Sequence, residues 1–215
     1  MIHNAQFKQL EFIILFIVFL LLFLLQVLPL SFLMPIIWML ALYAFFILKI
    51  TAKSIENDFK KELAISIFIR FIIIGLTFIL LCYIWYPHTF LQLLSKEPKI
   101  FLALLVLYPF LSVIPQEVLY REFFFKRYAF KLHTNILLLL NALLFMWAHI
   151  VFGNSVVLIL TLIAGLLFAH TYLKSCSFLL VCIEHTLYGY LLFISGLGEL
   201  FLQSGTLTFL RTLFS

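Results

Sequence analysis

Seven stretches of this chain are apolar for close to twenty residues at a time, and no water-soluble core accommodates that many. They run at about 10–28, 32–49, 64–86, 100–115 continuing into 116–130, 135–152, 155–173 and 177–195. About 20 such residues in a helix cross a hydrocarbon core roughly 30 Å thick. In lipid every backbone N–H and C=O must be answered within the protein, which leaves helices and closed barrels. Barrel strands would appear as alternating segments of about 10 residues, and these runs are longer and unbroken. Composition agrees: 66% of the 215 residues are hydrophobic and 11% charged, against about 45–50% and about 25% in soluble domains. The expected fold is all-α, a multi-span bundle of seven or eight transmembrane helices in the cell membrane.

Length permits one helical domain and no separate soluble one. Residues 1–99 read as about three N-terminal spans with an interfacial segment, 100–200 as the core that carries the chemistry, and 201–215 as an apolar tail. From 199 onward the tail is either an eighth span or an interfacial helix. The first run has no small-residue cleavage site after it and reads as a retained span. The formal charge of +5 is spread among the spans. It marks topology rather than nucleic-acid binding. With Lys8, Lys49, Lys53, Lys60, Lys61, Lys126, Arg127, Lys131 and Lys174 on the cytoplasmic side, the N-terminus is cytoplasmic, and Lys96 and Lys99 fall outside. Cys82, Cys176 and Cys182 have no ligand or redox spacing and read as packing residues. The partners this implies are membrane lipids.

Ionisable residues inside the runs narrow the function. Each costs about 2.5–3.5 kcal/mol at membrane depth on insertion scales, so a retained one asks for a use. Glu117 and Arg121 lie in IPQEVLYREFFF, His149 in LLFMWAHIVF and His185 in LLVCIEHTLYGY. Counted at 1.5 Å per residue from the cytoplasmic ends, Glu117 and His149 lie roughly 20 Å deep and His185 roughly 14 Å. Glu117 and Arg121 are one helical turn apart and can pair. Glu122 and Lys126 form a similar pair nearer the interface, read as a solvated helix end. His170, close to Lys174, reads as interfacial. One carboxylate and two imidazoles from three helices can activate a water, with the carboxylate taking the proton and the imidazoles holding water, oxyanion or metal. The same three groups are the ligand types of a catalytic zinc site with an open position.

The order Glu117–Arg121, Phe145–His149 and His185 on successive hydrophobic helices resembles EExxxR, FxxxH and HxxxN of the CPBP intramembrane proteases. These are also called the Abi or type II CAAX prenyl protease family. The resemblance covers roughly residues 100–200. It implies endopeptidase cleavage in or near the membrane, with Glu117 as base, His149 and His185 on the water, oxyanion or a metal such as zinc, and Arg121 holding Glu117. Two positions depart: Gln116 replaces the first glutamate of the pattern and Gly189 the asparagine. Asn141 and Tyr188 are the residues that could supply the lost donor. A non-catalytic immunity or scaffold protein of the same fold is the first alternative. A proton-coupled transporter is the second, and it would ask for inverted repeats, which the sequence lacks.

Overall fold

The computed structural model describes residues 4–51, 61–128, 132–201 and Thr212. Among the described residues, seven helices are long and apolar enough to cross a membrane: α1 (Ala5–Leu24), α2 (Leu30–Thr51), α3 (Glu62–Trp85), α4 (Pro98–Arg127), α5 (Thr134–Phe152), α6 (Ser155–Ser175) and α7 (Phe178–Ser195). The chain is thus a multi-pass, all-helical membrane protein, and each expected run is recovered to within a few residues. Most of the tail lies outside the described residues, as do Lys53, Lys60, Lys131 and Arg211; Gly196 closes α7 in a left-handed turn before a short 3-10 stretch, Leu197–Phe201.

The long helix α4 is central. It packs against α2, α5 and α7, while α5 lies on α6, α6 on α7, and α7 on α3. The core around it is aromatic: Phe16, Phe123, Phe124, Phe145 and Phe168 are all buried to 1% exposure or less. Elsewhere large apolar side chains such as Ile50, Leu76, Leu102 and Val106 point outward, where lipid rather than water is the natural solvent. The α5–α6 contact depends on small residues. A Cβ on Gly165 would stand 2.9 Å from the Ala142 Cα, so these backbones touch, the packing that gives helices affinity in lipid.

Helix α4 is not regular. π-helical turns at Pro109–Val113 and Val118–Phe123 flank a single α turn, Ile114–Glu117. Two prolines explain where the ladder breaks, since each lacks the N–H that would meet the carbonyl four residues back. Pro115 leaves the Leu111 carbonyl open, and the Trp38 indole N–H of α2 donates to it at 3.2 Å. Pro109 leaves the Leu105 carbonyl open, and the Tyr190 hydroxyl of α7 donates to that one. Both openings become ties to neighbouring helices. The region carrying Glu117 is thereby held off the regular α register, as π turns at functional sites often are.

Candidate active site

Glu117 closes the α turn between the two π segments and is wholly buried. Its Oε2 lies 3.4 Å from Nε of Arg121, also wholly buried. The Arg121 guanidinium sits over the ring of Phe145, 4.6 Å from its centre, and near that of Phe168 at 5.6 Å. Desolvated cation–π contacts contribute about 2 kcal/mol or more, which helps a charge persist where it donates few hydrogen bonds. His185, from α7, places Nδ1 2.7 Å from Oε1 of the same carboxylate. A carboxylate only accepts, so Nδ1 is the protonated nitrogen and Nε2 keeps its lone pair. The imidazole stacks on Phe168 at 4.6 Å and meets Phe145 edge-on at 5.7 Å.

His149 sits near the end of α5, where the helix tightens into a 3-10 turn, Ile150–Phe152. Its Nδ1 donates to the Phe145 carbonyl at 2.8 Å, which fixes the tautomer in the same way and leaves Nε2 open. Its ring lies 4.8 Å from that of Phe145 and 5.8 Å from Phe152. Phe145 is therefore the hub: Arg121 over its face, His185 at its edge, His149 beside it. Glu117, Arg121 and His185 are in direct contact, and His149 joins them through that ring.

The supporting residues go elsewhere. Gln116 donates from Nε2 to the Ser112 hydroxyl of its own helix at 2.8 Å. Asn141 donates from Nδ2 to the Tyr120 carbonyl at 2.6 Å, pinning α5 to the second π turn. Tyr188 packs its ring against Phe71 and Phe168. At Gly189 a Cβ would collide with the hydroxyl end of the Tyr108 ring. Sequence reading passed over Tyr108, because a tyrosine in an apolar run carries no signal by itself.

A three-ligand zinc site would need Glu117, His149 and His185 to present atoms to one point. Instead Glu117 turns one oxygen to His185 and the other to Arg121. A carboxylate bonded to an imidazole nitrogen orients that ring rather than sharing a metal with it. Among the described residues no group of three His, Cys, Asp or Glu side chains is placed to hold a metal ion. The residues present do not fit the zinc arrangement.

Other ionisable groups in the spans pair away from this centre. Glu184, buried beside His185 in sequence, is bonded by Arg70 of α3 and by the Thr171 hydroxyl at 2.6 Å. Arg70 also bonds Thr171 at 2.6 Å and faces His170 Nδ1 at 3.4 Å, so His170 belongs to a helix tie. Glu11 of α1 takes Arg127 at 2.8 Å, Tyr43 at 2.6 Å and Tyr128 at 2.9 Å. Arg127, read from sequence as a topology marker, is thus a buried ion-pair partner. Glu122 and Lys126 do pair, but both are largely covered rather than solvated. The signal for Glu11 and Arg70 was available: each is a charge inside an apolar run.

No curated protein and no solved structure matches this chain. The four residues Glu117, Arg121, His149 and His185 lie inside residues 98–191, which match the family model described as type II CAAX prenyl endopeptidase Rce1-like, the family that the motifs resemble.

Proposed function

We propose that the protein is an intramembrane endopeptidase of the CAAX type that hydrolyses a peptide bond of a membrane-associated protein or peptide. The observation that carries this reading is the buried 2.7 Å bond between His185 and Glu117. A base whose far nitrogen is held by a carboxylate has its lone pair aimed and its protonated form stabilised. Sequence alone put Glu117 first as the base; this geometry favours the pair acting as one unit.

The step balances without a cofactor. Water attacks the carbonyl carbon, the C=O π pair moves to oxygen, and the water's proton goes to Nε2 of His185. Glu117, paired with Arg121 on its other oxygen, stabilises the imidazolium that forms. Collapse of the tetrahedral intermediate breaks the C–N bond, and the imidazolium returns the proton to the departing amine. His149, with Nε2 open, orients the water. Gln116 does not enter, so its amide in place of a carboxylate leaves the pair intact.

The test is cleavage of a quenched-fluorescent peptide library, with prenylated and unmodified members, by the full chain in liposomes. Wild type is expected to cut, His149→Ala and His185→Ala to fail, and a chelator to change nothing. Equal rates for wild type and His185→Ala would sink the reading. Inhibition by the chelator would overturn its metal-free part.

A further inference from the structure

Charge that develops on the carbonyl oxygen needs a donor, and an oxyanion donor typically supplies one of the larger single contributions to such a reaction. Four polar groups near His185 come into question. Arg121 is boxed between Phe145 and Phe168 and held at Glu117. Asn141 gives its amide to the Tyr120 carbonyl. Tyr188 has its ring between Phe71 and Phe168, from α3 and α6, on the side of α7 where Arg70 meets Glu184. Tyr108 is the fourth, and its placement differs.

The hydroxyl end of the Tyr108 ring lies against the bare Cα of Gly189. Gly189 is one turn beyond His185 on the same face of α7. The Tyr108 and His185 rings stand edge-on, 6.0 Å between centres. Phe193 meets the tyrosine ring at 5.2 Å, nearly perpendicular, and Tyr190 lies at 6.4 Å. The ring is therefore held from several sides, and among the described residues its hydroxyl has no hydrogen-bond partner. Any larger residue at 189 would expel it.

The π turn of α4 explains why Tyr108 can reach this place. Tyr108 precedes Glu117 by nine positions, about 900° of regular helix, which would set the two on opposite faces. The π-helical Pro109–Val113 takes up one extra residue, turning Tyr108 by about 100° towards the Glu117 side. Both then meet His185.

We infer that Tyr108 is a catalytic residue, donating its hydroxyl hydrogen bond to the oxygen of the carbonyl under attack. Gly189 is the cradle that admits it. No proton is transferred; the O–H bond stays whole while the neighbouring oxygen gains charge. The inference rests on the hydrolytic reading above and adds the group that reading lacked.

The experiment uses Tyr108→Phe in the full chain in liposomes, with a peptide that wild type cuts. The variant keeps the ring and so the packing, which its thermal unfolding midpoint checks. kcat is expected to fall about 10²- to 10³-fold with KM nearly unchanged. The same peptide with a phosphinate at the scissile bond, a mimic of the tetrahedral state, is expected to bind the variant more weakly by a similar factor. A variant with wild-type kcat, or with wild-type phosphinate affinity, overturns the role of Tyr108 and leaves the protease reading standing. A wild type that cuts nothing overturns both.

Discussion

Glu117→Gln and His185→Ala are each expected to lower kcat/KM by about a hundred- to ten-thousand-fold, and the double variant by scarcely more. The argument is geometric. His185 gives Nδ1–H to Oε1 of Glu117 at 2.7 Å, and Glu117 is wholly buried. Gln can keep a hydrogen bond to the ring, but it carries no charge to balance an imidazolium. Ala at 185 removes the base outright. Groups that act as one unit lose their effect together, so the two losses should overlap. Losses that multiply in the double variant would mean that Glu117 and His185 work separately, and the carboxylate would then be the direct proton acceptor. Initial rates on one cleaved peptide, for all four chains, decide it.

The second large effect lies away from the chemistry. Arg127→Ala is expected to destabilise the fold by about 3–5 kcal/mol, because it strands a buried carboxylate. Glu11 is 5% exposed and Arg127 4%. The carboxylate also receives the Tyr43 and Tyr128 hydroxyls. Burial first, then the adjacent Glu11 charge, push the Tyr128 hydroxyl far above the usual phenol range, so it stays a donor at any physiological pH. Together these groups fasten α1 and α2 to the end of α4. A joint Glu11→Leu, Arg127→Leu change should recover much of the loss, since a packed apolar pair needs no desolvation of charge. Thermal unfolding in micelles, followed by tryptophan fluorescence, reads both. A single variant that melts with wild type would show that the pair does not hold α1.

Much of this was open to inspection in the sequence, and for a physical reason. Lipid removes the option of loops and edges, so twenty apolar residues mean one helix and seven runs mean seven. The cost of an ionisable group at depth likewise exposed Glu117, Arg121, His149 and His185. That criterion does not separate chemistry from structure, however. Glu11, Arg70 and Glu184 meet it equally, and they turn out to bind helices to one another. Which charge meets which depends on helix rotation, and rotation depends on the two π turns that no periodicity reveals. Asn141 looked like a spare donor until its Tyr120 partner was seen. Tyr108 stayed hidden because its place depends on an absence, the missing side chain at Gly189.

The π turn at Pro109–Val113 also sets which changes this helix tolerates. A side chain there can be swapped for another of like volume, since most of that turn faces outward or sideways. The residue count is another matter. Removing one residue would let the backbone relax into an ordinary α turn with everything before it still in phase, since eight regular positions span about 800°, as nine do with the π turn. Adding one would instead wind everything before it about 100° around the axis. Tyr108 would leave Gly189, and the Leu105 carbonyl would leave the Tyr190 hydroxyl. Insertions at this point should therefore be far more damaging than substitutions or a one-residue deletion, although no residue of the Glu117–His185 pair is touched.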